Sequence, residues 1–158
     1  LLKVKKQFFL NFPDNKLDSL PLLDLIKSFE KLIKKLNPKI IYTHSFHDLN
    51  VDHRRAFELT LTCFRPHKNS SVQKIYSFEI PSSTNLHHYR SMVFTPNYFV
   101  NISNEIKTKK KLLRIYSQEL GIKNHPRSLQ NIINLSKLRG SESGLDFAEA
   151  FEVIRDIS

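Results

Sequence analysis

The sequence contains a single cysteine, Cys63, among its 158 residues. One thiol excludes an internal disulfide and also excludes a cluster of thiolate metal ligands. Free cysteines are most often buried, and Cys63 lies at helical spacing from Ala56 and Leu59, so we interpret it as a small core residue. A lone thiol fits a reducing compartment, and a cytoplasmic location is expected.

Long apolar runs are also missing. No uninterrupted apolar stretch approaches the ~20 residues that a transmembrane helix needs, and residues 1–6 lack the apolar segment of a secretory signal. We therefore expect no membrane span. The single methionine is Met92 and the sequence starts at Leu1, so we expect a processed or partial chain.

Acidic residues are too few to balance the basic ones. The chain has 25 Lys and Arg against 15 Asp and Glu, a formal net charge of +10, and such a charge attracts polyanions. However, the lysines are scattered along predicted helices apart from one cluster at positions 107 and 109–111. They do not alternate with aromatic residues as in a groove for single-stranded nucleic acid. We interpret the charge as a solvated basic face and expect no nucleic-acid partner, with charge-driven nucleic-acid binding as an alternative.

Hydrophobic patterning predicts an α/β fold. The apolar share of 40% is that of a globular chain, and 158 residues are enough for one domain with its own core. Between Leu22 and Leu36, apolar residues recur at three- and four-residue steps, which predicts an amphipathic helix. Asn37 and Pro38 end it, and residues 39–42 then read as a buried strand. A helix followed directly by an apolar strand is typical of a parallel sheet, and we predict a single domain over residues 1–158.

The remaining segments are predicted from apolar periodicity, caps and breakers. The predicted elements are a strand or strand end at 6–12, a helix at 56–64, a strand at 72–80, an extended segment at 94–102, a basic helix at 103–120 ended by Gly121, a helix capped by Ser128 and ended by Gly140, and a strand or helix at 146–157. The neighbouring His87 and His88 point apart in either conformation, so they are not expected to share a ligand.

Polar side chains are concentrated between the strand at 39–42 and the helix at 56–64. Ligands of open α/β sheets bind at the carboxyl ends of strands, and polar groups gathered there suggest chemistry. Asn50 and Asp52 also have a structural alternative, since either is well placed to cap the following helix. The group consists of three histidines, two aspartates and an asparagine: His44, His47, Asp48, Asn50, Asp52 and His53. For His44 and His47 we favour ordinary packed or surface histidines, and a metal site made of the three histidines alone is disfavoured.

The segment Asp48-Leu49-Asn50-Val51-Asp52-His53-Arg54 follows Thr-His-Ser at the end of a strand. It resembles the second signature of the PIG-L/LmbE-like zinc-dependent N-deacetylases. The family's first signature, Ala-His-Pro-Asp-Asp-Glu, is missing, and Phe12-Pro13-Asp14-Asn15 is the nearest string. We therefore expect the opening two βα units to be absent from this chain. Further segments match in the family's order. One lies upstream of the signature, at 12–18, and the others lie downstream, at 79–84, 94–97, 125–128, 139–140 and 148–151.

The resemblance implies a Rossmann-like three-layer α/β fold with a mostly parallel sheet. It also implies a hydrolase that removes the acetyl group from an N-acetylated amino sugar or sugar conjugate. The family holds zinc with a histidine and an aspartate of the first signature and a histidine of the second, whose counterpart here is His53. The other Zn²⁺ ligands are then expected outside this chain, and this chain alone is expected to be inactive. A degenerate, non-catalytic sugar-binding or partner-binding member is the alternative.

The resemblance implies roles for five further residues. Asn50 stands where some relatives carry a histidine that stabilises the oxyanion, and its amide can donate there without carrying a positive charge. We predict Asn50 and Asp52 as catalytic residues, with Asp52 orienting the site. Asp48, Arg54 and Arg127 match positions that we interpret as orienting the substrate or supporting the ligand.

Overall fold

The computed structural model describes residues 2–68, 70–87 and 93–158. These residues form two compact units. The larger unit comprises Lys6–Thr95 with Glu152–Ser158, and the smaller unit comprises Leu1–Lys5 with Pro96–Phe151. The single-domain organisation stays a prediction. His88 lies outside the described residues, so the expectation about the His87–His88 pair does too.

The larger unit begins with the predicted helix and strand. Helix α1 runs over Leu22–Leu36 and ends at Asn37, which takes a left-handed conformation with φ of 45°. Strand β1 follows at Ile40–His44, then helix α2 at Val51–Cys63 and strand β2 at Lys74–Phe78. Strands β1 and β2 pair in parallel, from Ile40 opposite Lys74 to His44 opposite Phe78. The helix–strand unit of a parallel sheet is therefore confirmed. The prediction that this strand is buried is wrong, because the side chains of Ile40 and Tyr42 are about half exposed.

The core of the larger unit forms where α1, α2 and the two strands meet. Phe64, Val72 and Ile75 are buried there, and Cys63 packs against them. Burial raises the pKa of the Cys63 thiol to about 11, with a smaller contribution from Glu30. Cys63 is therefore a protonated side chain of the core, as predicted. Side chains that complete this core include Phe29, Ile33, Ile41, Leu61 and Ile154.

The smaller unit contains a strand pair and two helices. Strand β3 is Tyr98–Asn101, helix α3 is Ile106–Ile115 and helix α4 is Leu129–Ser141. The last strand, β4, is Ala148–Asp156, and its first residues pair antiparallel with β3. Buried Ile102, Ile106 and Ile133 form the core of this unit. The strand order is β1-β2-β4-β3, so the α/β class is confirmed and the sheet contains both parallel and antiparallel pairs.

Several local predictions differ from the structure. Helix α2 begins at Val51 rather than at Ala56, because the side chain of Asn50 caps it there. Residues 6–12 form no strand, and Phe9 is 72% exposed, since an apolar run without a neighbouring strand has no ladder to join. Helix α3 ends at Ile115 rather than near Gly121, because Ile115 and the next residue, Tyr116, are exposed and add nothing to the core. Gly140 lies inside α4, where a Cβ would come within 2.5 Å of the Leu145 carbonyl oxygen, and Gly144 takes the positive φ instead.

Two other expectations about the chain can be compared with the structure. Ser128 caps α4 by accepting a hydrogen bond from Asn131 N at 3.3 Å, as predicted. Among the described residues, every helix is too short or too polar to cross a bilayer.

Candidate functional site

The predicted polar loop connects β1 to α2 in the larger unit. Because β1 and β2 are parallel and end at the same edge, the segments that follow them are neighbours. The amide of Leu49 donates to the carbonyl of Ser83 at 3.4 Å, which joins the two segments. Within the first, the hydroxyl of the buried Ser45 accepts from His47 N at 3.0 Å. The topology thus brings the β1–α2 loop and the polar segment after β2 to one place.

Asp48 is the centre of this site, and its side chain has no exposed surface. Its Oδ1 atom lies 3.1 Å from Nδ1 of His53 and accepts from Asn50 N at 2.8 Å. The hydroxyl of Ser83 donates to the same oxygen, and Thr84 Oγ1 donates to Oδ2 at 2.8 Å. Burial alone would raise the pKa of this carboxyl, but hydrogen bonds from His53, Ser83, Asn50 and Thr84 lower it to about 2. Asp48 is therefore a buried carboxylate at neutral pH.

His53 and His44 form a stacked pair of imidazoles. Their ring centroids are 3.9 Å apart and their planes differ by 6°. His44 is the last residue of β1, and its ring also packs against Phe78 of β2, with the two ring centroids 4.9 Å apart. Burial and the neighbouring His53 lower the pKa of His44 to about 4, against an opposing effect of Asp48. His44 is thus a neutral packed histidine, as predicted, and the residue it packs against is His53.

Asn50 and Asp52 both make structural hydrogen bonds. Asn50 Oδ1 accepts from Asp52 N at 2.8 Å and from His53 N at 3.3 Å, so Asn50 caps α2. The Asp52 carboxylate accepts from Asn15 N at 2.7 Å and Leu17 N at 2.9 Å, which fixes that segment at the start of α2. The capping alternative is therefore confirmed for Asn50, and the catalytic roles of both residues stay predictions.

The two arginines lie in different units. Arg54 Nη1 donates to the carbonyl oxygens of Asp48 at 2.7 Å and Leu49 at 2.6 Å, and so holds the loop in its folded path. Arg127 belongs to the smaller unit, where its guanidinium is 3.6 Å from Glu119 and nearly half exposed. The structure therefore brings together five of the predicted site residues in the larger unit: Asp48, Asn50, Asp52, His53 and Arg54.

A second imidazole and carboxylate lie close together in the larger unit. His47 Nε2 is 3.9 Å from Glu152 Oε1. Glu152 accepts from Ser77 Oγ at 2.9 Å and from Thr95 N at 2.7 Å. Sequence reasoning did not single out Glu152 or Ser77, which come close only through the pairing of strands. It also gave no role to Ser83 and Thr84, although their place in a polar segment at a strand's carboxyl end was a signal.

The metal expectation can be tested against the donor atoms that the chain presents. Catalytic zinc usually has three protein ligands, and the described residues contain no group of three or more His, Cys, Asp or Glu that could hold a metal ion. His53 fits as one ligand, because a metal-bound histidine usually directs its other nitrogen to a carboxylate and Asp48 occupies that place. His44 adds no second ligand, since stacked rings direct their in-plane lone pairs side by side rather than to one point.

The fold defined by these elements occurs in solved structures of other proteins. The chain is similar to the N,N'-diacetylchitobiose deacetylase from Pyrococcus horikoshii, with a TM-score of 0.69 and 20% identity over 96% of this chain and 58% of that chain. It is also similar to the conserved protein TT1542 from Thermus thermophilus, with a TM-score of 0.69 and 18% identity over 94% of this chain and 66% of that chain. At these identities the likeness establishes the fold, and the chain spans 58% of the length of the first relative.

One family model matches the first part of the sequence. Residues 1–64 match the model of the PIG-L family, described as GlcNAc-PI de-N-acetylase. The matched part includes β1, the loop with Asp48, and α2 with His53. The resemblance to the PIG-L family is therefore confirmed, and these residues carry its sequence pattern. Among curated proteins, no match is found.

Proposed function

We propose that this chain is part of a metal-dependent hydrolase that removes the acetyl group from an N-acetylated amino sugar. One observation carries the proposal: the residues that match a family of de-N-acetylases are those that place His53 against a buried carboxylate at the carboxyl end of β1. The similar structure from Pyrococcus horikoshii is a deacetylase of N,N'-diacetylchitobiose, which supports an acetylated sugar as the substrate class.

Amide hydrolysis needs an activated water, a base for its proton and a positive group that faces the oxyanion. Zinc, when bound, would activate the water and polarise the acetyl carbonyl. His53 is the residue of this chain that would hold it. Nδ1 of His53 lies 3.1 Å from the Asp48 carboxylate, which leaves Nε2 as the atom for the metal, and the ring of His44 is stacked on the His53 imidazole.

The other predicted site residues also have proposed roles. Asn50 Nδ2 is 3.3 Å from Asn15 Oδ1, a long hydrogen bond that the amide can give up to donate to the oxyanion. Asp52 orients the site by fixing Asn15 and Leu17 beside it. Arg54 is proposed to orient the sugar at this site, and the substrate-binding role of Arg127 in the smaller unit stays a separate prediction. Arg54 uses Nη1 for the loop carbonyls, and the guanidinium of Arg127 lies 3.6 Å from Glu119.

Because the described residues provide one fitting ligand, we propose that the remaining ligands lie outside them and that the 158-residue chain alone is inactive. The test is acetate release from N-acetylglucosamine and N,N'-diacetylchitobiose by the complete natural protein that contains this chain. We expect release to stop after treatment with a chelator and to return with Zn²⁺, and we expect His53→Ala to abolish it.

Two outcomes would contradict the proposal. Unchanged acetate release by His53→Ala would remove His53 from the metal site. A complete protein that binds no zinc and releases no acetate, but still binds N-acetylated sugars, would instead support the non-catalytic sugar-binding alternative. A salt titration with oligonucleotides tests the remaining alternative, because charge-driven binding must weaken as salt rises.

A further inference from the structure

The segment after β2 holds the carboxylate of Asp48 with two hydroxyl groups. Ser83 Oγ donates to Oδ1, and Thr84 Oγ1 donates to Oδ2 at 2.8 Å. The Thr84 hydroxyl also accepts from Ile80 N at 2.8 Å. Because an ionised carboxylate can only accept hydrogen bonds, the single hydroxyl hydrogen of Thr84 is directed to Asp48. Both oxygens of the carboxylate are therefore held by a chain segment that lies 35 residues further along the sequence.

Among the described residues, the hydrogen bonds of Asp48 leave its carboxylate one further neighbour, the imidazole of His53. A carboxylate accepts about four hydrogen bonds, and donors from Ser83, Thr84 and Asn50 account for three. The fourth neighbour is Nδ1 of His53 at 3.1 Å. With no exposed surface, Asp48 has no side on which a sugar could approach. This geometry favours an action through His53 over the predicted contact with substrate.

We propose that Ser83 and Thr84 are positioning residues: they hold Asp48 so that His53 keeps its proton on Nδ1 and presents Nε2 to the site. The catalytic meaning of this arrangement rests on the proposed function. The position of the proton does not, because it is a property of the protein without metal or substrate.

The direct test is the tautomer of His53, measured by ¹⁵N NMR of the imidazole nitrogens in the metal-free chain at a pH where the ring is neutral. We expect the Nδ1–H tautomer to predominate in the wild-type chain. In the double variant Ser83→Ala/Thr84→Val, the carboxylate loses both hydroxyl donors and can turn away, so we expect a mixture of both tautomers. A wild-type chain with the proton on Nε2 would overturn the proposal at once.

Matched controls separate positioning from a general loss of stability. Ser71→Ala and Thr60→Val remove hydroxyls that donate to the Pro38 and Ala56 carbonyls, and we expect both to leave the His53 tautomer unchanged. Thr84→Ser keeps the hydroxyl and should retain the wild-type tautomer. If the double variant fails to fold, the single variant Ser83→Ala replaces it, with a smaller change in the same direction. A folded variant without either hydroxyl that keeps the Nδ1–H tautomer in full would disprove the positioning role.

A second readout concerns metal affinity in the complete natural protein. Loss of the groups that support a metal-bound histidine typically weakens metal binding about 10- to 100-fold, so we expect that change in the zinc Kd of the double variant, measured by competition with a chelator. The two proposals can fail separately. A protein without deacetylase activity but with the expected tautomer change would refute the proposed function and leave the positioning of His53 intact.

Discussion

Two imidazole–carboxylate pairs lie among the described residues of the larger unit, and they differ in the carboxylate rather than in the histidine. The His53 and His47 side chains are equally accessible, at 24% and 25% exposure. Asp48 is fully buried and lies 3.1 Å from His53, whereas Glu152 is 14% exposed and lies 3.9 Å from His47. The comparison shows that residue type alone does not make a site: a carboxylate orients an imidazole only when it is itself fixed within hydrogen-bonding distance.

The difference has a structural origin. Asp48 is short and stands between two loops, so donors from both loops reach it and leave His53 as its remaining neighbour. Glu152 is longer and is directed to Ser77 and to the backbone of Thr95. At 3.9 Å and with partial solvent access, its attraction for His47 is weak. We therefore expect substitutions at the two carboxylates to have very different effects.

The largest effect is expected for Asp48→Ala. The substitution leaves the Asn50 amide and two hydroxyls without their acceptor, and each buried unsatisfied donor costs about 1–3 kcal/mol. We expect the free energy of unfolding to fall by about 3 kcal/mol or more, measured by urea denaturation. Glu152→Ala is the matched control, with a loss of about 1–2 kcal/mol because fewer donors are abandoned. Equal losses for the two variants would break the comparison.

The next prediction concerns the pH dependence of stability, which we expect to depend on His44, the histidine stacked on His53. The pKa of His44 in the folded protein is about 4, below its ordinary value of 6.5. Unfolding therefore favours proton uptake, and the stability that His44 provides is complete above pH 6.5 and is lost as the pH falls from 6.5 towards 4. The loss is at most about 3 kcal/mol.

Urea denaturation between pH 7 and pH 4 measures this dependence. His44→Phe keeps an aromatic ring on His53 without a titrating group, and we expect it to flatten this part of the curve. Asp48 adds its own loss only at lower pH, because its pKa is about 2 instead of 3.8 and its contribution disappears between these values. A wild-type curve that is flat between pH 6.5 and pH 4 would contradict the burial of a neutral His44.

A smaller effect is expected at Asn50, which sharpens the distinction between structural and catalytic roles at the His53 site. Loss of an N-cap side chain costs about 1 kcal/mol, so Asn50→Ala should lower stability by this amount. Asn50→Asp keeps the capping oxygen and should preserve stability. In the complete natural protein, however, a carboxylate would repel the oxyanion. We expect acetate release to fall at least about 10-fold, which is less than the typical loss on removal of a hydrogen-bond donor to an oxyanion. Unchanged release by Asn50→Asp would confine Asn50 to capping.

The smallest effect is expected for Glu152→Gln. The amide oxygen can still accept from Ser77 and Thr95, and only the weak attraction for His47 is removed, so we expect a change below about 0.5 kcal/mol. Acetate release by the complete natural protein should stay within about twofold of wild type, since a twofold change in rate corresponds to about 0.4 kcal/mol of activation free energy. A large loss of activity here would show that His47, too, needs its carboxylate.

Sequence reasoning was most successful where a local pattern has a local cause. The apolar stripe of α1, the strand β1 and the Ser128 cap all depend on residues within one or two turns of each other. It failed at residues 6–12 and at Gly140. An apolar run becomes a strand only beside another strand, and the place of Gly140 is decided by the backbone of Leu145, which no pattern within the helix reveals.

The candidate site divides along the same line. The residue types and spacing from Asp48 to Arg54 are visible in the sequence, and they were sufficient to indicate the family and to single out His53. The residues that contact Asp48 and His47 come from distant parts of the sequence. Ser83 and Thr84 lie in the segment after β2, and Glu152 lies in the last strand. The sequence by itself determined which chemical groups are present and which helices and strands carry them. Only the tertiary structure decided that Asp48 is buried against His53 while Glu152 stays apart from His47, because burial and distance depend on strand pairing between remote segments.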